Sequence, residues 1–282
     1  FDIFGLEIWC SLTSGLTVII ANEEEQHNPA LLNKLCIKNN VNMIQTTPSR
    51  YAIMMEEKEN VKFLEKATDI LVGGEPISEK ILSNLQKRSK AKIFNMYGPT
   101  ETTIWSTIKE LTNEKVITIG RPIANTQVYV LNKNLQVVPI GITGELYIAG
   151  DGVGAGYLNR EDITKERYIK NPFLENSVMY KTGDICKFDS QGELYCLGRI
   201  DNQIKIRGLR VELEEIENKI LKNPSIKKVH VVKQEIGNRE VISAYYISNQ
   251  KVEVSELRAM LQKTLPSYMI PSYFTELDKS PY

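Results

Sequence analysis

Over the first hundred residues, apolar runs too short for helices alternate with stretches of helical periodicity, and few architectures accept that alternation. VNMIQT (41–46), TDILVGG (68–74) and AKIFNM (91–96) read as strands. PALLNKLCIKNN, the segment opened by Pro48, and ISEKILSNLQKRS are helix-like, and GLTVII (15–20) is a further continuous apolar run. Strands alternating with helices predict an α/β fold with a parallel sheet layer. From about residue 116 the texture becomes short strands punctuated by Gly, Pro and Asn, namely VITIG, QVYVLN, QVVP, GELYIAG and GELYCLG. These predict a small barrel-like or antiparallel β layer. After Gly198-Arg199 the pattern changes again: QIKIRGLRVEL alternates apolar and basic residues around Gly208, then Leu213, Ile216 and Ile220 fall at helical spacing. The remainder (VHVVKQ, VISAYYI, SELRAMLQKTL) reads as a small α+β unit, so a domain boundary is expected near residue 200.

A chain of 282 residues that is 42% hydrophobic can bury a sizeable core in more than one domain. Lys+Arg and Asp+Glu both number 35, so no global charge points to nucleic acid or an anionic membrane. The run Glu23-Glu24-Glu25 reads as a solvated loop. Cys10, Cys36, Cys186 and Cys196 have neither zinc-site nor disulfide-framework spacing and fit a reducing cytoplasm. His27 and His230 read as structural, which weakens any Ser-His-Asp or His-metal chemistry. No stretch has the roughly 20 apolar residues of a membrane helix. The start at Phe1 and the end at Lys279-Ser280-Pro281-Tyr282 suggest a piece cut from a longer polypeptide.

Among the motifs, GDGVGA (150–155) matches a dinucleotide fingerprint formally, but no plain helix and second parallel strand follow it. Its glycines fit backbone turns or close packing instead. NMYGPTE (95–101) directly follows a strand, where ligands of α/β sheets tend to bind. Tyr97 offers a flat face to a ring such as adenine, and Asn95 can donate and accept at its edge. Thr100 can bond phosphate oxygens and Glu101 is a hard ligand for Mg²⁺. Taken alone, the stretch reads equally as an ordinary turn with an exposed carboxylate. YKTGD (180–184) places Asp184 beyond a Thr-Gly turn, where it can accept both ribose hydroxyls, and GRID (198–201) adds the fixed charge of Arg199.

Together these motifs resemble the adenylate-forming enzymes, most closely the amino-acid adenylation domains of nonribosomal peptide synthetases. FDIFGLEIW (1–9), NMYGPTE, GELYIAGDGVGAGYLNR (144–160), YKTGD, GRIDNQIKIRGLRVELEEIE (198–217) and LPSYMIP (265–271) occur in family order along nearly the whole chain. The resemblance implies activation of an amino acid with ATP to an aminoacyl-adenylate, with release of pyrophosphate. Transfer to a phosphopantetheine thiol on a carrier protein domain, in the same parent chain, would follow. It implies that Asn95, Tyr97 and Gly98, with Gly74 nearby, hold adenine. Thr100 would contact phosphate, Glu101 would bind Mg²⁺, and Asp184 and Arg199 would fix the ribose. Residues 1–200 would form the C-terminal part of a large adenylation core, and 201–282 a small, incomplete, mobile subdomain pivoting at Asp201, with QIKIRG as the loop that changes sides. A cytoplasmic ligase of antibiotic and other secondary-metabolite biosynthesis is expected, without nucleic-acid or membrane partners.

The same resemblance matches Asp2 to the group that pairs with the substrate ammonium. The remaining pocket positions would be Ile3, Leu6, Arg50, Leu71, Gly73, Met96, Ile104 and Trp105. Leu6, Met96 and Trp105 are bulky, which resembles pockets that accept glycine, whereas an inward Arg50 would favour an acidic side chain. The family's Gly-rich phosphate loop and its C-terminal lysine match nothing here, so residues 1–282 alone are expected to show negligible exchange. Cys196 stands where some members place an aromatic ring against adenine. Rival readings are a stand-alone D-alanine–carrier protein ligase, an acyl-CoA synthetase, and a non-catalytic nucleotide- or partner-binding module.

Overall fold

A computed structural model describes residues 2–201, 203–206, 208–236 and 239–277. Phe1, Asn202, Arg207 in the QIKIRG segment, and the closing Lys279-Ser280-Pro281-Tyr282 lie outside the described residues. The chain forms two compact units, Phe1–Ile200 and Asp201–Tyr282.

The first unit is α/β. Its first sheet has the order β1 (Met43–Thr46), β2 (Asp69–Gly73), β3 (Lys92–Tyr97), β4 (Thr107–Glu110), β5 (Arg121–Pro122). The pairs β1/β2 and β2/β3 are parallel, and β4 and β5 add antiparallel pairs. Side chains along β2 alternate between faces. Ile70 and Val72 enter a buried core with Ile93, with Tyr51 and Met54 of the helix Pro48–Met54, and with Leu82 and Leu85 of Glu79–Arg88. Leu71 leaves on the opposite face, with Phe94 and Met96 of β3. Local chemistry sets the helix starts: Asn28, Thr47 and Ser78 each accept a bond from a first-turn N–H, and Pro29 and Pro48 occupy first-turn positions.

The second sheet has the order β10 (Leu194–Arg199), β9 (Val178–Phe188), β7 (Gly144–Gly150), β6 (Thr126–Leu131), with β8 (Tyr168–Lys170) also on β9. All its pairs are antiparallel. In the second unit, β11 (Gln203–Ile206) and β12 (Leu209–Glu212) pair as a hairpin. The helices Leu213–Ile220 and Val254–Gln262 share a core with β13 (Ile226–Ile236), β14 (Arg239–Ser248) and the residues before β15 (Tyr273–Glu276). Leu213, Ile216 and Ile220 are buried there, as their spacing predicts.

Two expected strands, VITIG and QVVP, are absent among the described residues, and the apolar run GLTVII forms no strand either. GLTVII is irregular with Leu16 and Ile20 exposed, and VITIG and QVVP make one bridge each, Gly120–Leu194 and Leu131–Val137. Apolar content alone does not make a strand, because the backbone also needs a neighbour to pair with. No helix among the described residues is long and apolar enough to cross a membrane.

Candidate active site

The stretch NMYGPTETTIW is shaped by close backbone approach. β3 runs through Asn95 and Met96 to Tyr97, so the turn begins one residue later than the sequence suggests. Thr100–Thr102 make one tight helical turn, then Thr103 (φ 63°) and Ile104 (φ 68°) adopt left-handed conformations. A β-branched residue at such φ is costly and persists only where its surroundings hold it. Here Ser106 N donates to Tyr97 O (2.8 Å) and Thr103 Oγ1 to Gly152 O (2.7 Å). A Cβ on Gly98 would lie 2.5 Å from Ile104 O and 2.8 Å from Ser106 N. Gly98→Ala therefore forces the turn open and is expected to lower stability by about 1–3 kcal/mol, read from denaturant unfolding.

The clustered hydroxyls divide the work. Thr102 is buried, donating to Pro99 O and lying 2.6 Å from Ser106 Oγ, so it builds the turn. Thr100 is exposed and remains available to a ligand. Glu101 is buried, and Tyr157 donates its hydroxyl to Glu101 Oε1 at 2.5 Å. The GDGVGA glycines serve this same turn: Gly154 N donates to Glu101 O (2.9 Å), and a Cβ on Gly152 would sit 2.7 Å from Thr102 O. Their spacing belongs to a brace for the turn, not to a dinucleotide loop.

Asp184 lies inside β9, not beyond a turn as expected; Gly183 takes φ 78° within the strand, where the pairing with β7 shifts register. Asp184 N donates to Thr182 Oγ1 (3.0 Å), and Thr182 in turn donates to Leu146 O (2.8 Å). The carboxylate receives Arg199 Nη1 at Oδ1 (3.0 Å) and the Tyr97 hydroxyl at Oδ2. A bulge makes this possible. Cys196 pairs with Cys186 and Arg199 with Asp184, so the extra residue in β10 turns Arg199 onto the Asp184 side. Burial, then the Asp184 charge, push the Tyr97 phenol well above its ordinary range, so it stays protonated and donates at neutral pH. Asn95 is buried on the same side of β3 as Tyr97, and its Nδ2 donates to Thr118 O at 2.7 Å. Gly74, at the end of β2, takes φ 84°.

The other side of β3 carries an apolar cluster. Ile3, Met96 and Trp105 are buried in it, with Leu6, Leu71 and Ile104 packed against them. Six of the positions read from sequence as a pocket thus meet in one place. Gly73 is the seventh, since a Cβ there would fall 2.4 Å from Trp105 Cη2 and 2.7 Å from Met96 O. Asp2 and Arg50 are half-buried, and burial lowers the Arg50 pKa. Among the described residues, no hydrogen bond or ion pair engages either charged side chain. Asp201 Oδ1 accepts from Gln203 N (3.3 Å) at the start of the second unit.

Two residues escape the sequence reading. Gln45 accepts the Trp105 indole N–H (2.7 Å) and donates to Ile3 O (3.2 Å), tying the apolar cluster to β1. Tyr157 sits in GAGYLNR, a matching segment, but only the fold reveals that it reaches Glu101. Both histidines hold local structure, His27 Nδ1 beside Glu23 O and His230 Nδ1 beside Glu217.

A family model for AMP-binding enzymes matches residues 1–158. Gramicidin S synthase 2 of Aneurinibacillus migulanus is 37% identical over 284 residues, all of this chain but 6% of that protein. The solved structure of IdnL1 superposes with a TM-score of 0.90 at 25% identity, covering 100% of this chain and 60% of that one. The four-domain nonribosomal peptide synthetase AB3403, bound to AMP and glycine, gives a TM-score of 0.66 at 35% identity over 100% of this chain and 21% of that one. With its family model spanning the YGPTE turn and the glycine brace that supports it, the chain belongs to the AMP-binding enzyme family.

Proposed function

We propose that this chain is the part of an amino-acid adenylation domain that holds ATP and the amino acid side by side. The observation that carries the reading is the division of labour on β3. Tyr97 reaches Asp184, which also holds Arg199, on one side, while Met96 and Trp105 enter the apolar cluster on the other. An enzyme that joins two molecules gains most from fixing both on one rigid strand. Residues 1–200 would be the C-terminal part of the large core, and 201–282 the mobile subdomain. The division between Ile200 and Asp201 supports a pivot at Asp201.

In the proposed chemistry, a substrate carboxylate oxygen attacks the α-phosphorus of ATP, and the bond to pyrophosphate breaks. Tyr97 would pack on adenine with Asn95, Gly74 and Gly98 alongside, Asp184 would accept ribose hydroxyls, and Arg199 would donate to ribose or phosphate oxygens. Thr100 would donate to phosphate. The donor set suits Mg²⁺: Glu101 is one fixed carboxylate, and this ion takes one or two carboxylates with phosphates and waters completing its shell. Bound there, the ion would neutralise phosphate charge. Tyr157 orients the Glu101 carboxylate, so Tyr157→Phe is expected to raise the KM for Mg·ATP about tenfold, a loss of one charge-assisted bond, with the amino-acid preference unchanged. Transfer of the acyl group to a phosphopantetheine thiol on a carrier domain would complete the cycle.

Bulky Leu6, Met96 and Trp105 support glycine as substrate, and the related AB3403 was solved with glycine bound. A second reading rests on Arg50, whose half-buried charge has no acidic partner among the described residues and would pair with an acidic side chain. Pyrophosphate exchange by the full-length protein, assayed with each amino acid in turn, tests both. Glycine-dependent exchange supports the first and Asp- or Glu-dependent exchange the second. Exchange with D-alanine alone would move the protein to the carrier-protein ligases, and no exchange with any amino acid would favour a binding module.

A further inference from the structure

Cys186 and Cys196 have no place in the chemistry above, yet the fold puts them face to face. They are directly opposed residues of the antiparallel pair β9/β10. Opposed residues project their side chains from the same face of a sheet, with Cα atoms about 4.5–5.5 Å apart. That spacing falls within the range of about 4.4–6.8 Å that a disulfide spans. The accessibility of the two thiols differs in a useful way: Cys196 is exposed, whereas Cys186 is fully buried among Ile119, Val130, Leu146 and Ile148. The bulge lies just beyond Cys196, and the pair is two pairings along the ladder from Asp184 and Arg199.

We propose that Cys186 and Cys196 form a redox-modification site that accepts a cross-strand disulfide by exchange with a low-molecular-weight disulfide. The exposed Cys196 thiolate attacks one sulfur of the reagent, breaking its S–S bond and releasing one thiol, which takes up a proton. The mixed disulfide now on Cys196 faces Cys186. Cys186 gives up its proton, forms the S–S bond to Cys196 Sγ, and displaces the second reagent thiol. Two protein thiols are oxidised and one reagent disulfide is reduced to two thiols. The order is fixed by access and acidity: the Cys196 thiol facing it, and then burial, push the Cys186 thiol up, so it is not the first to attack. The bridge would tie β10 to β9 beside the bulge that aims Arg199.

The test uses the reduced full-length protein incubated with glutathione disulfide, alkylated, digested without reductant and mapped by mass spectrometry. The expected product is a peptide pair linked through Cys186 and Cys196, with at most a transient glutathione adduct on Cys196. In Cys186→Ser the adduct on Cys196 should persist. In Cys196→Ser, Cys186 should stay unmodified. Exposed Cys10 reports that the reagent is active. If glutathione remains on Cys196 in the unsubstituted protein, or both thiols stay alkylatable while Cys10 reacts, the proposal is overturned. The unsubstituted protein decides this alone, should the Cys186 variant fail to fold.

Discussion

Glu101→Ala in the full-length protein is expected to lower amino-acid-dependent pyrophosphate exchange by about 10²–10³-fold, the scale set by losing one preorganised electrostatic group. The loss should be similar for every amino acid the enzyme accepts, because Glu101 lies outside the apolar cluster and on the proposed account would face the phosphates. If Glu101 holds Mg²⁺ as proposed, raising Mg²⁺ should recover part of the loss by mass action. Unfolding should move less than activity: the Glu101 backbone still accepts from Gly154 N, and the Thr102–Ser106 contact still closes the turn. A variant that loses activity for one amino acid and keeps it for another would place Glu101 on the wrong side of the turn.

Trp105→Ala is the complementary case. The ring lies over Gly73, and its N–H is held by Gln45. Removing a buried Trp typically costs about 3–5 kcal/mol of stability, so the unfolding midpoint should fall clearly. The cavity left behind should also admit larger side chains. Each added methylene is worth about 1–3 kcal/mol of discrimination in an apolar pocket. The ratio of kcat/KM for a larger amino acid over glycine should rise 10-fold or more, measured by exchange on protein that remains folded. A uniform fall for all substrates would remove Trp105 from the pocket.

The alternation of strands and helices was readable because each apolar run had its own period, and β1, β2, β3 and the helix Glu79–Arg88 lie where that period puts them. VITIG and QVVP failed for a different reason: their composition suits strands, but pairing is a property of the neighbour and not of the run. The motifs named Tyr97, Glu101, Asp184 and Arg199, yet none of them could say that Tyr97 donates to Asp184. That bond joins residues 87 apart, and the companion contact from Arg199 depends on a one-residue bulge in β10. Gln45 and Tyr157 were invisible for the same reason, since an isolated amide or phenol carries no signal until its partner is in place. The left-handed backbone of Ile104 was likewise legible only in the fold. A β-branched residue is a poor fit to left-handed backbone, and such misfits collect at sites where function over-determines the fold.

The central claim is that β3 presents a nucleotide to one side and an amino acid to the other. It is tested most directly by a crystal structure of the full-length protein with AMP and its preferred amino acid. The expected density places the ribose hydroxyls on Asp184 and the amino-acid side chain against Met96 and Trp105. AMP bound instead in the separate cavity lined by Asn125, Asp151 and Thr164, with Asp184 still holding only Tyr97 and Arg199, would contradict it.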